Sequence, residues 1–345
     1  MITVVLIAVM GYLAYVFIAY HRIEDNRVLE VQNAQSGTMA AGEEYRILSF
    51  NIGFGAYEPD FGFFMDGGTE SWALSEERLD ANLTALSDWT AKEGADIYLM
   101  QEVDIDSTRS YHVDERKYLT DRLTGYGYTF AQNFDSPFLF YPLTQPHGFA
   151  RSGLMTFSRF NMTDGVRRSL PIENTLKKLV DLDRCFSVQR IPVDNGRELV
   201  LINLHLSAYT TDGTIAEEQL EMIVSLMQKE YENGNYCIAG GDFNKDISGD
   251  AESYFNTSAA NYTWAQPIPE EIFTGRNVSL VFAYDEEDPV PSCRNADGPY
   301  NPEQYVLTVD GFMITDNVTV NSAGVADLSF RYSDHNPVRM SFTLN

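Results

Sequence analysis

The chain has 345 residues, 44% of them hydrophobic and 13% aromatic, enough to fill a large packed interior and too many for a disordered protein. Fifty acidic residues against 24 basic ones give a formal net charge of -26, which disfavours sequence-independent binding of nucleic acid except where cations or a basic patch invert the field locally. Only Cys185, Cys237 and Cys293 are present, with no CxxC spacing, so neither a disulfide framework nor a dedicated thiolate zinc centre is indicated.

Residues 1–20 carry no charge, and as a helix rising ~1.5 Å per residue they would cover ~30 Å, the thickness of a bilayer's hydrocarbon core. They read as a single transmembrane anchor. A cleaved signal peptide is the rival, but the apolar run exceeds the usual length of about 7–15 residues and has no basic flank before it. A buried core helix fits less well, since the segment has no polar face. Arg22 and Arg27 follow the segment and by the positive-inside tendency would keep the body in the cytoplasm. Analogy with other single-anchor proteins places it outside, and the expectation adopted is a single-pass cell-membrane protein with an extracytoplasmic body.

Residues 21–43 are polar and aperiodic, as expected of a linker, and the folded domain is expected over 44–345. An apolar strand over Tyr45–Phe50 precedes a helix over Glu76–Glu93, opened by Ser75 as cap, and a strand over Asp96–Met100. Strands follow near 152–158, 185–193, 198–206, 235–240, 307–315 and 338–344. Leu220, Ile223, Val224, Met227 and Tyr231 repeat at helical spacing, with Gly234 placed to end that helix. Consecutive strands in mid-chain argue against a doubly wound sheet. They point to an α/β (α+β) fold in which two sheets pack as a β-sandwich flanked by helices.

Several apolar strands end in polar residues: Asn51, Glu102, His205, Asp242 with Asn244, Asp310, and Asp334 with His335. Each alone has an ordinary explanation, a turn, a solvated loop or a locally satisfied histidine. Asp310 is the exception, because a lone carboxylate inside an apolar strand is costly to bury without a partner. As a set these residues suit phosphate-ester hydrolysis, which needs charge neutralisation, an aligned water and a proton for the leaving group. With five histidines and no HExxH pattern, the composition does not favour zinc.

The segments Arg46–Asn51, Leu99–Glu102, Leu201–His205, GDFN at 241–244, Val309–Met313 and SDHNPV at 333–338 together resemble, in order, the endonuclease/exonuclease/phosphatase superfamily, the group of deoxyribonuclease I. The resemblance implies a deoxyribonuclease I-like fold and a magnesium-dependent phosphoesterase, with Mn²⁺ as the alternative ion. It further implies that Glu102, with Asn51 and Asp334, binds the metal. Asp242 and Asn244 would position the attacking water, Asp242 being a base or a second-metal ligand. His335 would contact phosphate with Asp310 fixing its tautomer, and His205 would stabilise developing charge or protonate the leaving oxygen.

Substrate must come from what differs within such a family. The stretch Tyr300-Asn-Pro-Glu-Gln-Tyr-Val lacks the Cys-Asp-Arg segment of inositol phosphatases. The loops 61–65 (FGFFM) and 137–143 (PFLFYPL) are unusually apolar, so they either fold back onto the body or form a lipid-facing rim. The leading expectation is a phosphodiesterase acting on phospholipid or sphingolipid head groups. A deoxyribonuclease is the alternative, disfavoured by charge, and an inactive membrane-anchored binding module is the rival of another class. No protein partner is expected. Arg109, Tyr111, His112 and Arg294 are read as surface residues that could instead meet a substrate.

Overall fold

In the computed structural model, residues 2–179, 181–208, 214–258, 264–283 and 289–345 are described. Two sheets form. One has six strands, in the order Val318–Val325, Val338–Leu344, Glu44–Asn51, Ile97–Asp104, Arg151–Ser158 and Gly127–Asp135. The other has seven: Arg27–Leu29, Gly165–Ser169, Cys185–Pro192, Glu198–His205, Tyr236–Asp242, Asp310–Thr315 and Val278–Val281.

Alternation of side chains along each strand makes this a four-layer stack. Ile47 and Leu99 of one sheet meet Leu201, Ile238 and Phe312 of the other in the central core. On the opposite face of the first sheet, Leu48, Phe50, Tyr98 and Met100 pack on Leu79, Leu83 and Leu86 of the helix Glu76–Glu93. Val200, Ile202 and Leu204 of the second sheet meet Leu220, Ile223, Val224 and Met227 of the helix Thr214–Glu232. Both helix ends follow sequence logic. The Ser75 hydroxyl accepts from the Arg78 amide at 3.2 Å, a cap worth ~1 kcal/mol, and Gly234 takes φ +86 beyond the second helix.

Two expectations need adjustment. The strand expected over 307–315 is broken: Val306–Leu307 pairs with Cys293–Arg294, and only Asp310–Thr315 joins the main sheet. Residues 21–43 also lie along the body and are not a free tether. Arg27–Leu29 pairs with Gly165–Arg167, the Ile23 amide donates to Asp183 Oδ2, Asp25 accepts from the Ser169 amide, and Met39 is buried. The helix Ile2–Ala19 ahead of them is long and apolar enough to cross a membrane, a test that a signal sequence also passes. It touches the body at the loop 137–143: the Phe138 amide donates to the Tyr15 hydroxyl at 3.0 Å, and Tyr12 stacks edge-on against Phe140.

Candidate active site

The strand ends converge at one edge of the sandwich. Asn51 closes its strand level with Gln101 of the parallel neighbour, where a bulge between Met100 and Val103 interrupts the next pairing. Within that bulge Glu102 takes φ +55, a backbone state that non-glycine residues adopt rarely and that marks functional positions. Asn51 bridges the two sheets there. Its amide donates to Glu102 Oε1 at 3.1 Å and to Asp242 Oδ2 at 3.0 Å.

In the second sheet, His205 is in register with Asp242, and Asp242 with Asp310. Gly241, at φ +146, permits this approach: a Cβ there would lie 2.0 Å from the Leu204 carbonyl oxygen. The Asn244 amide donates to Asp242 Oδ1, and its side chain donates to the Leu206 carbonyl. The turn 333–337 is tied to the first strand by Ser333, whose hydroxyl donates to the Asn51 carbonyl at 2.8 Å. His335 Nδ1 then lies 2.7 Å from Asp310 Oδ2, which also accepts from the Ser292 hydroxyl. The partner that Asp310 needed inside its strand is therefore His335.

All eight residues singled out from the sequence come together. Glu102, His205, Asp242, Asn244, Asp334 and His335 line a cleft of about 550 Å³, with Asn51 and Asp310 as hydrogen-bond partners behind them. His205 Nε2 is 3.6 Å from Asp242 Oδ2 and 4.0 Å from Glu102 Oε1, and His335 Nε2 is 3.8 Å from Asp242 Oδ2. His205 is not satisfied locally among the described residues, where its buried Nδ1 has no hydrogen-bond partner.

Burial pushes Asp242 up to about 7 even though His335 pulls it down, and burial also raises Asp334. Burial opposes the charged form of His335, but Asp310 beside it holds the imidazole well above its ordinary value. His205 is held well below, by burial and then by Arg184 and His335. The two histidines thus differ in charge preference, as a phosphate-binding cation and a neutral imidazole would. Among the described residues, no Lys or Arg pairs with Glu102, Asp242 or Asp334. Three carboxylates converging without a Lys or Arg partner among the described residues, with the His335 imidazole as the nearby positive charge, fit a hard divalent cation. Glu102 and Asp334 could hold it, and Asn51 could join through Oδ1, the oxygen that accepts from the Gly53 amide.

Other residues depart from their expected places. Arg109 is no surface residue: it is buried, its guanidinium grips both oxygens of Asp104 at 2.9 and 3.0 Å and lies 3.8 Å over the Phe54 ring. Arg294 is buried as well and donates to the carbonyls of Glu58, Phe61 and Gly298, fastening the loop 58–61. Tyr111 is half-buried, donating to the Ala73 carbonyl, while His112 is exposed beside Asp106. Arg184 escaped the sequence reading. It lines the cleft at 7% exposure, and among the described residues its buried Nε and Nη1 have no hydrogen-bond partner. Its signal was a cation placed immediately before the apolar strand at Cys185.

Part of the cleft wall is apolar, formed by Phe63, Phe64, Met65 and Leu139 with the buried His147. The two loops behind it differ. Phe61 and Phe63 fold into the core against Phe54 and Tyr57, leaving Met65 outside, whereas Phe140, Tyr141 and Leu143 of the second loop are 53%, 69% and 84% exposed.

Residues 48–335 match the model of the Endonuclease/Exonuclease/phosphatase family. Among solved structures, the chain is similar to an endonuclease/exonuclease/phosphatase from Beutenbergia cavernae (TM-score 0.61, 17% identity, 88% of this chain and 72% of that one). It is also similar to a family protein from Leptotrichia buccalis (TM-score 0.56, 13% identity, 87% and 100%). A third similar structure is the human Nocturnin catalytic domain with bound sulfate (TM-score 0.55, 18% identity, 92% and 97%). At these identities the structural likeness shows the fold. No curated protein matches the chain significantly.

Proposed function

The chain belongs to the endonuclease/exonuclease/phosphatase family, whose members hydrolyse phosphoesters, and from that premise we propose that it is a Mg²⁺-dependent phosphodiesterase acting on phospholipid or sphingolipid head groups at a membrane surface. One observation carries the substrate reading. Acidic residues and histidines suited to phosphoester hydrolysis line the cleft together with an aromatic wall, and that wall continues through Phe64 and Tyr141 into the exposed loop 140–143 against which the apolar N-terminal helix rests. A ligand with a phosphodiester and a greasy tail matches both, whereas a nucleic-acid backbone matches neither the wall nor a net charge of -26.

A bound divalent cation supplies charge neutralisation on the non-bridging oxygens. The chain's own groups do the rest. Asp242, buried and raised to about 7, accepts the proton of a water held with Asn244, and the Asn51 amide keeps its carboxylate oriented. His335, held cationic by Asp310, binds a non-bridging oxygen. His205 would sit where the leaving oxygen takes up its charge, and Arg184, whose Nε and Nη1 have no hydrogen-bond partner among the described residues, lines the same cleft.

The test compares the full chain with Phe140→Ser/Tyr141→Ser/Leu143→Ser on zwitterionic phosphatidylcholine and sphingomyelin in mixed micelles, and on a soluble phosphodiester. Each exposed aromatic that inserts contributes ~25 cal/mol per Å² of buried apolar surface, so lipid hydrolysis should fall at least about tenfold while the soluble ester is cleaved as before. Equal loss on both substrates with a lowered melting temperature would show that the loop is core packing. Wild-type preference for the soluble ester would remove the lipid substrate and leave the phosphoesterase.

A further inference from the structure

One thiol stands inside the cleft. Cys293 lies opposite His335 in an isolated antiparallel bridge, and its Sγ is 3.7 Å from His335 Nε2. A carboxylate oxygen of Asp334 joins them, all three donor atoms lying within 4.8 Å of one another. Tetrahedral zinc with Zn–S of about 2.3 Å and Zn–N of about 2.0–2.1 Å sets its sulfur and nitrogen ligands about 3.6 Å apart. The observed spacing needs almost no movement to reach that value. The other nitrogen of the same imidazole is held at 2.7 Å by Asp310, the carboxylate–histidine arrangement that points the second ring nitrogen at a metal.

We propose that Cys293 Sγ, His335 Nε2 and Asp334 form a thiophilic site selective for Zn²⁺ over Mg²⁺, and that its occupancy turns hydrolysis off. Magnesium prefers oxygen donors and octahedral geometry, so a site with one sulfur and one nitrogen discriminates against it, while zinc takes three such ligands with a water in the fourth position. On binding, a Zn–S and a Zn–N bond form, and the protons displaced from sulfur and from the imidazolium leave to solvent. The off-switch rests on the phosphoesterase reading, because it acts by taking Nε2 away from the substrate phosphate. The site itself does not rest on it.

The experiment therefore reads the site without activity. The full chain in detergent, with saturating Mg²⁺, is titrated with Co²⁺. One equivalent should produce a near-ultraviolet thiolate-to-cobalt absorption that Zn²⁺ abolishes, and Cys293→Ser should lack it. The other two thiols, Cys185 and Cys237, lie in no metal-capable group among the described residues. In parallel, Zn²⁺ inhibition of soluble-ester hydrolysis should shift in Cys293→Ser by more than the roughly 10–100-fold that loss of an outer-shell partner costs, with Mg²⁺-supported turnover retained. Should that variant melt early, Cys293→Ala serves in its place. Absence of the absorption, or its persistence without Cys293, overturns the site. A Cys293-dependent absorption with unchanged zinc inhibition overturns only the switch, and an enzyme silent on every phosphoester overturns the functional reading while leaving the metal site standing.

Discussion

At the floor of the cleft and directly behind it, Asn51, Glu102, His205, Asp242 and Asp310 are carried by strands hydrogen-bonded to a neighbour on both sides, whereas the aromatic wall is carried by two loops. The floor holds its groups by backbone register and by short side-chain hydrogen bonds. The wall holds its groups by ring packing, with Phe63, Phe64 and His147 in mutual contact. Rigid register is what a reaction needs, since small misplacements of reacting groups are costly. Adaptable packing is what a variable apolar ligand needs. Under the proposed lipid reading, one cleft would separate chemistry from recognition by the kind of element that bears each.

The largest expected effect lies in the floor. Glu102→Gln removes one carboxylate charge from the cation site with little change in shape, and should lower kcat by roughly a thousandfold or more while the melting temperature holds. Near-normal turnover with unchanged magnesium affinity would break the assignment of Glu102. Next in size is the Asp310–His335 pair. Singly, Asp310→Asn and His335→Ala should each cost roughly 10²–10⁴-fold, and the double variant should lose little more than the worse single one, because the two act as one unit. Additive losses would mean that Asp310 is a structural acid only.

The wall should answer in stability and not in chemistry. His147, buried among Phe63 and Phe64, is pushed down to about 4 by burial and by Arg109, so the folded protein holds it neutral while the unfolded chain protonates it near 6.5. Its contribution is complete above about 6.5 and is lost as pH falls toward 4, amounting to roughly 3 kcal/mol over that span. His147→Gln should flatten this part of the stability profile relative to wild type, measured by denaturant titration at pH 4.5 and pH 7. An identical slope in the variant would place the acid sensitivity elsewhere, the floor carboxylates included.

The same contrast explains what the sequence disclosed. Floor residues were legible because an apolar run ending in an acid, an amide or a histidine is a local pattern, repeated in the family's order. Strands without such a run were not: Val318–Val325 reads TVNSAG between its valines and is largely outside the core, and Arg27–Leu29 exists only because Gly165–Arg167 offers it an edge. Arg109 was misplaced because its burial depends on Asp104 and on the Phe54 ring, a contact made across more than fifty residues of chain. Cys293 carries no local signature, and Arg184 only the weak one of a cation placed before an apolar strand. Their neighbours His205 and His335 are brought to them by the sandwich closing.

The junction behind the N-terminal helix has a mechanical consequence. Tyr20, His21 and Arg22 separate Ala19 from Ile23, the first buried side chain of the body, and even fully extended that span is on the order of 14 Å. Asp183, which holds Arg22 and the Ile23 amide, is the direct neighbour of the cleft residue Arg184. If the helix sits in a bilayer and the substrate is a lipid, as proposed above, so short a junction leaves the body little reach, and it would meet substrate only by lateral drift in the plane. Its rate then follows the number of substrate molecules per unit area, so diluting the substrate lipid with an inert one at constant bulk concentration slows it, while diluting the whole suspension leaves each embedded molecule turning over as before.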